Sequence, residues 1–569
     1  MKPIPVEVRQ TADGWQLFRG GEPYLIRGVG GDGDLSLLVA SGGNSLRTWG
    51  ADDIGATLDE AHRLGLSVTV GIWLGHERHG FDYSDQQAVD EQLAYVRKTV
   101  LRYRDHPAVL IWALGNEMEG FADGDNPLIW KAVNDAAALV KALDPNHPTM
   151  TVTAEIGGRR VEFVHEQCDA IDIHGINSYG GAVSLPERLR TAKASKPYIV
   201  TEFGPVGPWE VGKTAWDAPY EATSAEKANQ YDRAYTTNVL DNSSWNLGSY
   251  AFLWSSKMEG TETWFGMFLR DGEKLSSVDT MTRLWGGENT RLPSPEISEI
   301  SLSVDPVLAP NQSLEAGVSV LGSESELSFS WRLLPEAGEL LTGGDFRADL
   351  PPVENAIVAA DGPVAKLRMP EYPGAYRLFV LAKDEHGNAA TANMPLLVEG
   401  IERQRFPVTV YHDGFGGMPW SPSGWMGDNA NMKLDGEYEQ VVHTGRRAIR
   451  FRYEGRAWGA IAWQHPANDW GDLDGGFSLE GARFLEVTAR GEYGGERVKF
   501  GVGLLGNDKP YADSVIVEHD EVVLTSDWQT YRINLAGKDL SRIKTAFVVS
   551  VVGRATPVTV YMDGIRFDR

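Results

Sequence analysis

Ala108-Val-Leu-Ile-Trp-Ala-Leu-Gly-Asn-Glu117 and Lys196-Pro-Tyr-Ile-Val-Thr-Glu202 decide the fold of this chain. Each is a short apolar run without polar alternation that ends in an acid, as expected of a strand buried on both faces of a parallel sheet. Six more runs of this kind lie around them, at 23–30, 43–49, 67–74, 148–154, 170–177 and 248–254. Helical periodicity fills the gaps: Ile54, Leu58, Ala61 and Leu64 recur on one face, and so do Val89, Leu93, Val96, Val100 and Tyr103. Eight strands alternating with helices over about 260 residues predict a (β/α)8 TIM barrel, with residues 5–22 as a hairpin capping it.

The barrel reading stops at Gly286-Gly-Glu-Asn-Thr-Arg-Leu-Pro-Ser-Pro295, an aperiodic linker. Domain one is therefore placed at 1–290 and expected to stand alone. Residues 296–400 alternate in runs such as Leu327–Leu333 and Ala375–Ala382, which suit an immunoglobulin-like β-sandwich. A second break near 399–405 opens residues 401–569, whose short strands and frequent turn signals fit a jelly-roll β-sandwich.

Composition narrows the class. Hydrophobic residues at 42% and charged residues at 23% exclude a disordered or fibrous chain. No apolar run reaches the length of a spanning helix, so no membrane insertion is expected. With 79 acidic against 53 basic residues the charge is −26, which disfavours nucleic acid and anionic surfaces and favours a neutral partner. Eighteen Trp and 19 Tyr offer flat faces for sugar rings. Cys168 is the only cysteine, so the chain holds no internal disulfide. Residues 1–8 show no signal-peptide core. A periplasmic or secreted site would suit a polysaccharide enzyme, and a cytoplasmic one stays open.

In a barrel of this type the C-terminal strand ends build the active site. Glu117 ends strand four and Glu202 ends strand seven, which sets two carboxyls across one mouth. Asn116-Glu117 after strand four and the second acid after strand seven resemble the retaining β-glycosidases of glycoside hydrolase clan A. The likeness is nearest to the catalytic barrel of family 2, with family 5 next. It implies that Glu117 is the general acid/base, that Glu202 is the nucleophile and that Asn116 holds the sugar 2-hydroxyl. It further implies that Arg47 in Ser45-Leu-Arg-Thr-Trp49 neutralises the nucleophile region, that Tyr179 in Asn177-Ser-Tyr-Gly180 hydrogen-bonds it, and that Trp254 floors the sugar site. Family 2 enzymes usually place sandwich domains before the barrel, whereas here both follow it. Physically, Glu202 near Arg47 should stay ionised, while Glu117 against an apolar wall of Trp112 and Trp254 should hold its proton.

Other candidates are local. The loop Trp73–Tyr83 should overhang the cleft, with His76 and Glu77 as substrate contacts; Asn177, ending the sixth strand, is a further substrate-binding candidate, and Trp209, Trp216 and Trp264 could line neighbouring subsites. His76-Glu77-Arg78-His79 lacks the spacing of a zincin helix, because Gly80 stands where the second histidine should be. Gly28-Val-Gly30-Gly-Asp-Gly33 satisfies a dinucleotide fingerprint, but eight βα units exceed a Rossmann domain. In the jelly roll, Trp425 and Trp463 are candidate glycan-binding aromatics, and Asp413 with Asp563 could share a structural Ca²⁺. No cofactor and no active-site metal are implied. The reading is thus a retaining β-glycosidase acting on a neutral β-linked oligo- or polysaccharide, β-glucan first, with a transglycosylase on the same scaffold or a non-catalytic glycan-binding protein as alternatives.

Overall fold

The structure, a computed structural model, describes residues 2–119, 124–288, 292–336, 349–399, 406–415 and 420–569. Eight parallel strands close into a barrel: β1 (Ile26–Gly30), β2 (Ser45–Arg47), β3 (Ser67–Ile72), β4 (Val109–Asn116), β5 (Thr149–Ala154), β6 (Ile173–Asn177), β7 (Tyr198–Phe203) and β8 (Asn246–Ala251). The expected TIM barrel is present, and an all-parallel sheet explains why its strands read as unbroken apolar runs.

Side-chain alternation splits each strand between two cores. Ile111 and Ala113 of β4, Met150 and Val152 of β5, Ile173, Ile199 and Tyr250 fill the barrel interior. Trp112 and Leu114 point outward into the layer shared with the helices. The hairpin Val6–Thr11/Gly14–Arg19 seals the N-terminal end. Val6 and Leu17 join the interior cluster, and the amides of Val6 and Trp15 donate to Asn146 O and Ser244 O at 2.7 and 2.8 Å.

The two following domains are antiparallel. The smaller pairs Ser301–Leu302, Ser313–Gly317, Val364–Arg368 and Ile357–Asp361 in one sheet. Its second sheet pairs Val307–Leu308, Ala389–Val398, Gly374–Lys383 and Ser328–Pro335. Trp331, Leu333, Leu378 and Val380 lie in the core between them. The C-terminal domain packs two six-stranded sheets around Phe451, Trp463, Leu485, Phe547 and Val560. Of the linkers expected at 286–295 and 399–405, residues 289–291 and 400–405 lie outside the described residues.

A barrel standing apart from its neighbour needs correction. Ala389 N donates to Lys274 O at 2.8 Å, Thr391 N to Ser224 Oγ at 3.0 Å, and Arg377 Nη2 to Pro219 O at 2.7 Å. Leu269, Leu275, Leu381 and Ala389 form a buried apolar patch across the same boundary. Linker composition reports on the connecting chain alone and is blind to a face buried by distant residues.

Two expectations in the jelly roll change, those for Trp463 and for the Asp413–Asp563 pair. Trp463 is fully buried, its ring 5.1 Å from that of Phe547, so it is core and offers no face to a glycan. Trp425 is half-buried, with its indole N–H donated to Pro422 O at 3.0 Å. Asp413 and Asp563 do not form a calcium site. Asp413 Oδ1 accepts from the amides of Arg446 and Arg447, and Asp563 Oδ2 from those of His443 and Thr444, so both pin the 443–447 turn through backbone donors. Among the described residues no group of three or more His, Cys, Asp or Glu side chains is arranged to hold a metal.

Candidate active site

Glu202 enters the barrel mouth on the last turn of β7 and is nearly buried, at 7% exposed. Three donors converge on its carboxylate. Arg47 Nη1 and Trp49 Nε1 both donate to Oε1 at 2.7 Å, and Tyr179 Oη donates to Oε2 at 2.8 Å. Together they satisfy a charge that would otherwise be costly at this depth. Burial, followed by the Glu202 charge, keeps the Tyr179 phenol well above its ordinary range, so it stays a donor.

Arg47 also donates through Nη1 to Thr201 O at 3.0 Å and through Nη2 to Asn116 Oδ1 at 2.5 Å. It thereby links the ends of β2, β7 and β4. Trp49 reaches Glu202 because Gly30 leaves room: a Cβ there would lie 2.6 Å from the Trp49 ring. A Cβ at Gly28 would meet Tyr250 at 2.3 Å. Two glycines of the apparent dinucleotide motif thus serve close packing.

Glu117 follows β4 in a left-handed conformation, φ 53°, after Gly115 at φ 72°. A non-glycine residue seldom adopts this region, and here the Glu117 amide is held by Val152 O at 2.9 Å. Its Oε1 accepts from Asn177 Nδ2 at 2.7 Å, and Asn177 Oδ1 accepts from Thr201 Oγ1 at 2.8 Å. Burial, then the negative charge of Glu202, raises the Glu117 carboxyl to about 7; Asn177 and Arg47 oppose this, and Glu259 adds to it. The mouth therefore holds one carboxylate that accepts from three donors and one carboxyl that keeps its proton near neutral pH, the pairing that nucleophilic and acid/base work require.

The structure brings Arg47, Asn116, Glu117, Asn177, Tyr179 and Glu202 into one hydrogen-bonded constellation. Trp254 is not in it. That side chain is fully buried, donates to Asp34 O at 3.0 Å and packs edge-on to Phe268. Phe252 takes the place expected of it, with its ring centroid 5.9 Å from those of both Trp49 and Tyr179. The reason is register: β8 ends at Ala251, three residues earlier than the apolar run suggests. The expected Trp112 wall is absent too, since Trp112 faces outward and donates to Asp144 Oδ2 at 2.8 Å. His76 is buried and stacked on Trp73 with centroids 4.6 Å apart, while Glu77 is exposed and accepts from Asn126 at 2.6 Å. Both brace the loop after β3.

Sequence reasoning passed over four groups. Trp49 stood in the quoted Ser45–Trp49 run, and its signal was a polar indole directly after a strand-end arginine. Lys257 and Glu259, paired with each other, sit beside the mouth, with the Lys257 ammonium 5.3 Å from the Phe252 centroid. Glu119 is buried behind Glu117 and accepts from Ala154 N at 2.6 Å and lies 3.1 Å from Arg160 Nε; burial, with the Glu117 charge adding to it, raises its carboxyl to about 8. Of the outer tryptophans, Trp209 is half-exposed and edge-on to Tyr179, whereas Trp264 is buried and donates to Val206 O at 2.9 Å.

Residues 51–247 match the model of "Glycosyl hydrolases family 2, TIM barrel domain". Mannan endo-1,4-beta-mannosidase F of Aspergillus clavatus is 37% identical over 93 residues, 16% of this chain and 20% of that one. A putative beta-glucuronidase of Formosa agariphila is 28% identical over 145 residues, 25% of this chain and 12% of that one. The chain thus spans about a fifth or less of the length of these two relatives. The beta-D-glucuronidase structure of Dictyoglomus thermophilum aligns with a TM-score of 0.39 at 19% identity, covering 50% of this chain and 54% of that one. Over residues 51–247 the barrel of this chain is thus similar to the glycosyl hydrolase family 2 TIM barrel domains.

Proposed function

We propose that the protein is a retaining β-glycosidase that hydrolyses a neutral β-linked glycan by double displacement. Glu202 attacks the anomeric carbon while Glu117 gives its proton to the departing glycosidic oxygen. Glu117, now ionised, then takes a proton from water as that water displaces Glu202. The observation that carries the reading is the unequal environment of the two acids: three donors on Glu202, and a carboxyl raised to about 7 at Glu117. Asn116 and Asn177 stand ready for the sugar 2-hydroxyl and the acid, respectively. A sugar hydroxyl replacing water would give transglycosylation from the same intermediate.

A neutral sugar fits the charges at the mouth. Among the described residues Arg47 is engaged by Glu202 and Lys257 by Glu259, so a uronic carboxylate would compete with a fixed carboxylate for either cation. Charge favours a neutral sugar without choosing between β-glucan and β-mannan, and the mannosidase relatives favour β-1,4-mannan; both are β-linked neutral hexopyranosides. For the jelly roll, glycan binding now rests on Trp425 alone. The deciding experiment assays aryl β-mannosides, β-glucosides and β-glucuronides with the intact chain and with Glu117→Ala plus azide. Turnover of a neutral glycoside, and a β-glycosyl azide from the variant, supports the reading; an α-azide reverses the roles of the two acids.

A further inference from the structure

We infer that Arg377, on the immunoglobulin-like sandwich, is a positioning residue for the active site, acting through the buried Glu221–Lys227 pair on the loop 255–267 that holds Lys257 and Glu259 at the barrel mouth. The inference rests on the reading of Glu117 and Glu202 as the catalytic pair.

The Arg377 side chain is 1% exposed, yet every arm has a partner. Its guanidinium grips Glu336 through Nε and Nη2 at 2.9 and 2.8 Å, Asn393 Oδ1 through Nη1 at 2.7 Å, and the barrel's Pro219 O through Nη2 at 2.7 Å. Two residues beyond Pro219, the carboxylate of Glu221 is wholly buried. Burial alone would raise it, but the charges of Lys227 and Arg377 outweigh burial and hold it below its ordinary range, so it is an ionised acceptor. Glu221 Oε2 accepts from Thr261 Oγ1 at 2.6 Å, and Oε1 accepts from Thr263 Oγ1 at 2.7 Å and Lys227 Nζ at 2.5 Å. Lys227 Nζ also donates to Thr263 O at 2.7 Å.

The far side of this clamp is the mouth. Glu259 N donates to Thr261 O at 3.2 Å, so fixing Thr261 fixes Glu259. Glu259 is 6% exposed and pairs with Lys257, which lies over Phe252, the ring packed between Trp49 and Tyr179. Its charge acts on Tyr179 and on Glu117. A sandwich residue is thus connected through Pro219, Glu221 and Thr261 to Glu259, whose charge acts on the catalytic acid. A second set of contacts separates this role from domain attachment. Lys383 joins the same two domains through Asp271 and Glu273 at 3.1 and 2.8 Å, and these partners are outside the 255–267 loop.

The test uses the full chain and three variants: Arg377→Met, the near-isosteric Thr261→Val, and Lys383→Met as the attachment control. Hydrogen exchange across 257–264 is measured without substrate, and kcat, KM and the pH profile are measured with an aryl β-glycoside. Arg377→Met and Thr261→Val should speed exchange at Glu259 and Thr263 tenfold or more. They should lower kcat at least fivefold with a smaller change in KM. They should also move the basic limb to lower pH, because a receding Glu259 charge releases the Glu117 proton earlier. Lys383→Met should stay within twofold of the parent in kcat, with its pH profile unmoved. Should Arg377→Met not fold, Thr261→Val decides. Unchanged exchange and an unmoved basic limb in folded Arg377→Met, or in folded Thr261→Val, overturn the inference. An intact chain inactive on every β-glycoside would sink the glycosidase reading, and the exchange data would still decide the clamp.

Discussion

Replacing Glu202 by Gln removes one negative charge beside Glu117 and keeps the shape of the side chain, so it isolates the electrostatic part of the acid's tuning. In a retaining site the two carboxyls lie roughly 5.5 Å apart. Unit charges at that distance repel by about 3 kcal/mol at an effective dielectric of about 20, and by about 0.8 kcal/mol in bulk water. At about 1.4 kcal/mol per pH unit these limits correspond to roughly 2 units and roughly 0.5 unit, respectively. Glu117 is half-buried, between the two, and its carboxyl stands at about 7 in the intact site. Its midpoint should therefore fall by about one pH unit in Glu202→Gln while remaining above an ordinary glutamate, because burial is the larger cause. Carbon-13 NMR of glutamate-carboxyl-labelled protein reads this directly, with Glu117→Gln in the same background to assign the resonance. A midpoint that stays put or rises would refute the claim that Glu202 is the charge raising Glu117.

Further outcomes follow from single contacts. Trp49→Phe deletes one of three donors to Glu202, and loss of a hydrogen bond to a charged group at about 1.5–3 kcal/mol should lower kcat/KM about 10- to 150-fold, measured on an aryl glycoside. Trp463→Ala empties a buried position in the jelly roll and should destabilise that domain by about 3–5 kcal/mol in denaturant titration, whereas Trp425→Ala should leave stability nearly unchanged and weaken retention on insoluble polysaccharide. Burial pushes His165 and His465 down to about 4 and His174 well below its ordinary 6.5. Between pH 6.5 and about 4 the unfolded chain binds protons that the native chain refuses. Stability is therefore fully present above pH 6.5 and falls as pH drops, by up to about 2 kcal/mol per histidine at pH 5. Calorimetric Tm values independent of pH across this window would contradict that account.

What could be read from sequence follows from where each signal is stored. Barrel strands are buried on both faces, so Val109–Asn116 and Tyr198–Phe203 announce themselves as apolar runs, and the acids at their ends stand out against them. The site's outer parts carry no such local signal. Phe252 replaces Trp254 because a strand end is fixed by pairing with its neighbours, which an apolar run does not encode. Glu259 lies in an irregular loop whose course depends on Glu221, some forty residues away. Arg377 reads as an ordinary polar position in an alternating strand, since one polar residue facing outward and one buried against another domain look alike in sequence. Trp463 was ambiguous for a related reason, because tryptophan serves both sandwich cores and sugar platforms.

The central claim is that Glu202 forms a covalent bond to the sugar while Glu117 manages the protons. Incubation with an activated 2-deoxy-2-fluoro β-glycoside of the sugar the enzyme prefers, followed by peptide mapping in a mass spectrometer, tests it in one measurement. The fluorine slows release of the intermediate more than the leaving of an activated group, so the glycosyl-enzyme accumulates. The account predicts one sugar per chain, attached to the peptide containing Glu202 and to that side chain. A label on Glu117 or elsewhere, or steady turnover of the parent glycoside with an α-configured first product and no label, would contradict it.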